Sequence, residues 1–267
     1  MVVQPDFFSY SSLFIVIART DRLGLPLWMI QILNIMFCSM FGVSMAMFTF
    51  HFIYRYFVIT ASPYVKMDST LKISAWFLTP ILYGIVWGLV VFVTLGPNEE
   101  TDRIVEDHFL PSRHITMDQL TYVGPNYYMT DENGMETLNL TVFCGMAILI
   151  AMVTSSVLTI GIFAYKCYKA MGVLLHESNH SEGYKVLQSQ LLNMLIVQVT
   201  IPAVLMHIPF SILLIGTMFH IGNEVAAGFF CISVAAYPVL DPLPTMFMIQ
   251  HYRQVLKKII KKRVKFW

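Results

Sequence analysis

Residues 137–165 have the sequence TLNLTVFCGMAILIAMVTSSVLTIGIFAY and contain no charged side chain. A helix needs about 20 mostly apolar residues to cross the roughly 30 Å hydrocarbon core of a bilayer, so this stretch is long enough to span one. Residues 23–54, 73–98 and 186–223 also carry no formal charge, and 225–252 carry Asp241 alone. We therefore predict five membrane spans, at 25–53, 73–95, 138–165, 190–216 and 225–249.

The composition supports a membrane protein. Hydrophobic residues make up 57% of the chain and charged residues 12%, whereas soluble proteins are about half apolar and about a quarter charged. The net charge of +1 argues against a nucleic-acid partner. We predict an all-α, polytopic transmembrane helix bundle that forms one domain over residues 1–267, with the lipid bilayer as its surroundings.

The distribution of basic residues predicts the orientation. Loops 54–72 and 166–189 and the tail 251–267 hold most of the 17 Lys and Arg residues, whereas the long loop 97–136 is acidic. Cytoplasmic loops are enriched in Lys and Arg. We therefore expect a multi-pass plasma-membrane protein with an extracellular N-terminus, an extracellular loop 97–136 and a cytoplasmic C-terminus.

Two further segments are apolar but differ from the spans. Residues 7–18, FFSYSSLFIVIA, are too short to cross a bilayer, and we expect them to lie in the interface or to finish a helix. In the tail 251–267, apolar and lysine positions alternate with helical spacing. This pattern predicts an amphipathic helix resting on the anionic inner leaflet.

The sequence offers no enzyme signature. It has no phosphate-binding glycine loop and no HExxH, CxxC or Gly-x-Ser-x-Gly motif. We interpret His108 and His114 as solvated loop residues rather than metal ligands, and we expect neither a metal nor another cofactor. A transporter or channel should carry several charges at mid-membrane depth, but Asp241 alone qualifies and there is no internal repeat.

The helix ends carry the distinctive residues. The first span ends in HFIYRY at 51–56, where an arginine can extend to the lipid headgroups. The last span contains YPVLDPLP at 237–244, with Asp241 predicted about two thirds of the way across. Prolines interrupt the helical hydrogen bonds there and allow bending.

Several ordered motifs together resemble the Str superfamily of nematode serpentine chemoreceptors, which contains the diacetyl odorant receptor. They are HFIYRY at 51–56, YVGPNYY at 122–128, LQSQL at 187–191, VQVTIP at 197–202, HIP at 207–209, YPVLDPL at 237–243 and Tyr252-Arg253. The resemblance covers nearly the whole chain. It implies a rhodopsin-like G protein-coupled receptor of sensory cilia that detects small, often volatile, molecules.

In that family the HFIYRY-like motif ends the third helix, so the five predicted spans correspond to helices 3–7. Residues 7–18 would then be the end of helix two and the following outer loop, and helices one and two would be missing. This suggests a truncated gene model, a fragment or a decayed paralogue.

The resemblance also assigns roles to residues. Coupling to a heterotrimeric G protein is expected at His51, Tyr54, Arg55 and Tyr56. A conformational switch is expected at Tyr237, Pro238, Asp241 and Pro242, and a second hinge at Pro202 and Pro209.

The odorant should bind in the outer half of the bundle, in a mostly apolar pocket with a few polar groups. Gln31, Asn34 and Cys38 share one face of the first span, and His207 is expected in the outer half of the fourth. Interhelical hydrogen bonding would explain these polar residues equally well.

Three functions remain open from the sequence. The first is an odorant-type receptor, with other receptors and trafficking chaperones as further candidate partners. The second is a non-signalling fragment or pseudogene product of the same family. The third is a transporter or channel subunit.

Overall fold

The computed structural model describes residues 5–21, 24–65, 69–130, 135–176, 180–243 and Arg253. In chain order the helices and strands are β1 Asp6–Tyr10, β2 Leu13–Arg19, α1 Leu27–Ile59, α2 Thr70–Thr94, α3 Glu99–Ile104, β3 Leu120–Val123, β4 Tyr128–Thr130, β5 Glu136–Leu138, α4 Leu140–His176, α5 Glu182–Pro202, α6 Ile208–Met218 and α7 Glu224–Leu240. π-helical turns follow α3 at Val105–Phe109 and join α5 to α6 at Ala203–His207.

The predicted helical membrane fold is confirmed. Among the described residues, four helical stretches are long and apolar enough to cross a bilayer: Leu27–Ile59, Lys72–Thr94, Leu140–His176 and Glu182–Met218. The fifth apolar helix, α7, has 17 residues and is therefore about 25 Å long. The predicted last span reached 249, but residues 244–250 lie outside the described residues. The predicted amphipathic helix at 251–267 also lies outside them, apart from Arg253.

Three of the helices extend beyond the bounds predicted from charge. The first continues to Ile59 rather than 53, α4 continues to His176 rather than 165, and α5 begins at Glu182 rather than 190. Charged side chains end an apolar stretch, but Lys, Arg and Glu are good helix formers. The helices therefore continue past the apolar residues that marked the spans.

Residues 7–18 do not finish a helix, and that expectation is wrong. They form the antiparallel strands β1 and β2, and β3 adds to β2 in a three-stranded sheet of order β1-β2-β3. Aromatic and β-branched residues favour strands, and Ser11 adopts a left-handed φ of 49° in the turn between β1 and β2. The segment 97–136 is correspondingly structured, since it holds α3, β3 and β4.

The sheet is buried on both faces. Phe8, Leu13, Ile15 and Ile17 pack with residues of β3 and of the π-helical turn after α3 in one hydrophobic cluster. Successive strand residues point to opposite faces. The strand residues that alternate with these four therefore lie on the other face of the sheet. This two-sided packing explains why six consecutive residues of β2 are buried.

The chain divides into two compact units. The first comprises Met1–Ala46, Phe77–Ser155 and Pro209–Ile232, and it contains the three-stranded sheet. The second comprises Met47–Trp76, Ser156–Ile208 and Ser233–Trp267. Its hydrophobic cluster is made of residues from α1, α4 and α5: Ile59, Cys167, Met171, Leu174 and Leu192.

Within the first unit, α1 and α2 approach closely at two glycines of α2. A Cβ atom on Gly84 would overlap Cγ2 of Val43, and one on Gly88 would overlap the hydroxyl of Ser39. Small residues four apart let two helices pack backbone to backbone in a membrane, where van der Waals contact replaces the hydrophobic effect as the driving force. The α1–α2 contact therefore depends on these two positions.

We predict that Gly84→Ala destabilises the protein by about 1–3 kcal/mol, because the added methyl group overlaps the stiff side chain of Val43. Thermal unfolding of the purified chain in detergent measures the effect as a lower Tm. Gly161→Ala in α4 is the matched control, since a Cβ there has no neighbour within 4 Å. Equal Tm values for the two variants would contradict the prediction.

Candidate functional site

Seven aromatic side chains of the first unit form a connected group beneath the sheet, here called the aromatic cluster. Rings of β1 and β2 meet rings of α6 and α7, with centroid separations of 4.9 Å for Phe7–Phe230 and 5.6 Å for Phe14–Phe210. Phe41 of α1 lies 5.5 Å from Phe210 and 5.5 Å from Trp87 of α2. The members are Phe7, Phe14, Phe37, Phe41, Trp87, Phe210 and Phe230.

The local structure explains why these rings converge. Phe7 and Phe14 lie on the sheet face opposite the cluster of Phe8 and Leu13, because side chains alternate along a strand. Phe37 and Phe41 are four residues apart on α1 and therefore share one helix face. Strands and helices thus bring together aromatic side chains from six segments of the chain.

Polar residues of α1 attach the helix to the sheet next to the aromatic cluster. Asn34 is fully buried and donates its side-chain N–H to the carbonyl of Val16 in β2 at 2.8 Å. Thr121 of β3 donates its hydroxyl to Oε1 of Gln31. Two of the predicted ligand residues, Gln31 and Asn34, therefore hold the sheet in place.

Two buried polar atoms beside the cluster have no hydrogen-bond partner among the described residues. They are the amide oxygen of Asn34 and the hydroxyl of Ser9 in β1, and both residues are 0% exposed. Buried polar groups are almost always hydrogen-bonded in native proteins. The hydrogen bonds of the described residues therefore leave these two atoms unsatisfied.

The turn between β1 and β2 is anchored to the connection between α6 and α7. Ser11 and Gly222 exchange two backbone hydrogen bonds of 3.0 Å each. A Cβ at Gly222 would lie 2.5 Å from the carbonyl oxygen of Ser11 and 2.7 Å from Oγ of Ser9. Only glycine permits this close approach, which keeps β1 against the helices.

The opposite face of the sheet is held by Tyr122. Its hydroxyl donates to the carboxylate of Asp102 at 2.6 Å. Burial, together with this carboxylate, raises the pKa of Tyr122, so the phenol stays protonated. Asn98 caps α3 by accepting the N–H of Thr101 at 2.9 Å, and the bond from Tyr122 to Asp102 attaches α3 to the sheet.

The other two predicted ligand residues are placed differently. Cys38 is half-buried in α1, one turn after Asn34. His207 ends the π-helical turn between α5 and α6, and its Nδ1 lies 3.0 Å from the carbonyl oxygen of Pro202. It belongs to the second unit, whereas Gln31, Asn34 and Cys38 belong to the first.

Arg55, in the second unit, is buried rather than extended into solvent, with a relative exposure of 8%. Its guanidinium donates through Nη2 to the backbone carbonyl of Gln188 in α5. Its Nε has no hydrogen-bond partner among the described residues. A buried cation bonded to a neutral carbonyl is a weakly compensated charge, and through this bond the arginine joins α1 to α5.

The other residues of the predicted coupling motif, Tyr54, Tyr56 and His51, lie near Arg55 on α1. Tyr54 contacts Trp76 edge-on at 6.0 Å, and Tyr56 contacts Phe163 at 5.7 Å. The ammonium of Lys166 lies 5.7 Å from the ring of Tyr56, within the range of a cation–π interaction. His51 is exposed.

The proline motifs occupy helix irregularities. Pro202 ends α5, the π-helical turn follows, and Pro209 lies in the first turn of α6. A π-helical turn next to a proline is a recognised site of helix bending.

In the last span, Pro238 lies inside α7, and the helix ends at Leu240. Asp241 follows in a turn, with its N–H bonded to the carbonyl of Tyr237 at 2.9 Å, and Pro242 comes next. Asp241 and Pro242 thus form a turn after Leu240, and the backbone is helical again at Leu243, because the residue before a proline disfavours helical backbone.

The sequence reasoning missed the aromatic cluster, Ser9 and Gln188. For Phe7, Ser9 and Phe14, the available signal was a short run of strand-forming residues on either side of a Ser-Ser pair. Gln188 contributes through its backbone, so its side-chain type gives no signal. Among the described residues, there is no group of three or more His, Cys, Asp or Glu side chains that could hold a metal ion.

Comparison with known proteins identifies relatives along the whole chain. It is 32% identical to the G-protein coupled receptor str-217 of Caenorhabditis elegans over 230 residues, which are 85% of this chain and 65% of that receptor. It is 24% identical to the serpentine receptor class r-10 of Caenorhabditis briggsae, over 99% of this chain and 76% of the relative. The chain thus spans just under two thirds of the length of the first of these relatives. No solved structure matches it.

Residues 1–257 match the family described as serpentine type 7TM GPCR chemoreceptor Str. The match includes the sheet, the aromatic cluster and the buried arginine, and it agrees with the motifs at the helix ends. The protein is therefore a multi-pass membrane protein that belongs to the Str family of serpentine chemoreceptors.

Proposed function

We propose that this chain is an odorant-type receptor that binds a small, volatile molecule at the aromatic cluster and activates a heterotrimeric G protein. The observation that carries the proposal is the cluster itself, in which aromatic rings from strands and helices meet. Nearby, Asn34 and Ser9 each have a buried polar atom that lacks a hydrogen-bond partner among the described residues. Such a combination is typical of small-molecule sites, which are mostly apolar with a few polar groups. Membership in a chemoreceptor family supports the same function.

Gln31, Asn34 and Cys38 are the proposed polar side of the ligand site, since they lie on the α1 face that leads to Phe37 and Phe41. His207 bonds to the carbonyl of Pro202, which favours a role at the hinge over direct ligand contact. Pro202 and Pro209 form that hinge, and Tyr237, Pro238, Asp241 and Pro242 form a second one at the end of α7.

Coupling is proposed at Arg55 with His51, Tyr54 and Tyr56. The basic loops 54–72 and 166–189 favour a cytoplasmic position for this end of α1. Ligand binding would favour conformations in which α5 moves at its hinge and the bond from Arg55 to Gln188 is released. The freed arginine would then be available to the G protein. The proposed location is the plasma membrane of a sensory cilium.

We predict that Phe230→Ala lowers ligand potency at least about tenfold, because buried aromatic anchors dominate binding energy. The measurement is a concentration–response curve in a heterologous cell that carries a promiscuous G protein, against a panel of small volatile molecules. The neighbouring Phe229→Ala is the matched control, since Phe229 is 68% exposed and Phe230 is 5% exposed. The unmodified chain must respond for the proposal to stand. If the chain reaches the cell surface but no molecule of the panel evokes a G protein signal, the proposal is contradicted.

We predict that Arg55→Gln lowers the maximal G protein signal about tenfold or more without weakening ligand binding, because the cation acts in coupling and not at the aromatic cluster. Direct ligand binding to membranes and nucleotide exchange on the G protein separate the two effects. Lys169→Gln introduces the same residue at an exposed basic position of α4 and should signal normally. A normal signal from Arg55→Gln would remove Arg55 from the coupling site.

A further inference from the structure

We infer that the ligand of this receptor is a small neutral molecule that carries a hydrogen-bond donor, such as an alcohol or a phenol, and that Asn34 receives the donor. The inference rests on the proposed function and specifies the chemical class of ligand. It is carried by the hydrogen bonding of Asn34 and Ser9 next to the aromatic cluster.

The orientation of the Asn34 amide is fixed by its neighbour. Its N–H group donates to the carbonyl of Val16 at 2.8 Å. Rotating the amide by half a turn would place two oxygen atoms against each other, so the nitrogen must face Val16. Within the described part of the chain, the amide oxygen is therefore the group left without a partner, and an amide oxygen only accepts hydrogen bonds.

The position of Asn34 places this acceptor at the edge of the aromatic cluster. Val16 and Phe7 are directly paired across β1 and β2. The ring of Phe7 lies 6.4 Å from that of Phe37, which is three residues after Asn34 on α1. Asn34 is thus bonded to the strand residue paired with Phe7 and lies one helical turn before Phe37, and these two connections are the basis for placing the acceptor next to the aromatic surface.

Ser9 supplies a second polar contact. It lies two residues from Phe7 on the same face of β1, about 7 Å along the strand. Its hydroxyl can donate or accept, has no partner among the described residues and is fully buried. The distance of about 7 Å between the Phe7 and Ser9 positions on β1 suits a ligand with a single ring and one or two polar atoms.

The same geometry disfavours two other ligand classes. The seven aromatic members carry no formal charge, and desolvating an ion against them is costly. A ketone, ester or ether offers only acceptor atoms, which can accept from the Ser9 hydroxyl but leave the Asn34 oxygen unpaired. Sites built around a buried hydrogen-bonding group reject analogues that lack the complementary group more strongly than apolar pockets reject analogues of different size.

We predict that donor ligands are at least about tenfold more potent than acceptor-only ligands of the same skeleton. The probes are three matched pairs: 1-phenylethanol and acetophenone, cyclohexanol and cyclohexanone, and phenol and anisole. Binding to membranes that contain the full chain and G protein activation in cells are measured for each pair. The comparison uses the unmodified chain and does not depend on whether a variant folds.

Two results would overturn the inference in different ways. Acceptor-only members that equal or exceed their donor partners would refute the donor requirement while leaving the receptor function intact. Surface-expressed chain that responds to no small molecule would refute the proposed function and the inference with it. A consistent donor preference across the responding pairs supports both.

We further predict that Asn34→Leu reduces the donor preference to near unity. Thr121→Val is the matched control, because it also removes a bond between α1 and the sheet but leaves the Asn34 acceptor in place. It should preserve the preference. Antibody labelling of a surface tag normalises expression for both variants.

Ser9→Ala provides a second variant in case Asn34→Leu fails to reach the surface. Ser9 makes no hydrogen bond among the described residues through its hydroxyl, so the substitution should leave the fold unchanged and lower donor-ligand potency severalfold. An unchanged potency in Ser9→Ala together with an unchanged preference in Asn34→Leu would overturn the inference.

Discussion

A bilayer contains no water to satisfy backbone N–H and C=O groups, and every spanning segment must therefore satisfy them internally. This constraint makes the apolar segments helical and confines strands to places where other protein covers them. The sheet of β1, β2 and β3 meets the condition because residues of the π-helical turn after α3 pack on one face and the aromatic cluster lies on the other. The position of the sheet, and with it the candidate ligand site, depends on these two covering layers.

Within the first unit, α1 both holds the sheet in place and carries residues of the proposed ligand site. The bond from Asn34 to the Val16 carbonyl fixes the strand against the helix, while the rest of the same amide remains open to a ligand. In the proposed ligand site, Asn34 would both hold the strand and accept a bond from the ligand, so that binding would act directly on the backbone. In the second unit the corresponding element is Arg55, whose bond to the Gln188 carbonyl joins α1 to α5. Both contacts use a backbone carbonyl as acceptor, and neither partner can be recognised from its side chain.

Much of the fold could be predicted from the sequence, because the absence of charge over about 20 residues is a local property with a direct physical meaning. The family resemblance was equally accessible, since motifs such as HFIYRY lie in continuous order. The sheet was not predicted, because FFSYSSLFIVIA is apolar throughout and its hydrophobicity has no clear period. Of the candidate site residues, Gln31 and Asn34 were named, but their bonds to Thr121 and Val16 join segments far apart in the chain.

By itself the sequence determined that this is a helical membrane protein of a chemoreceptor family and identified which helix ends carry polar residues. Only the tertiary structure decided that Phe7, Phe14, Phe210 and Phe230 meet in one cluster. It also decided that Arg55 is buried against α5. The physical reason is that solvation by lipid depends on local composition, whereas hydrogen bonds and ring contacts depend on which distant segments pack together.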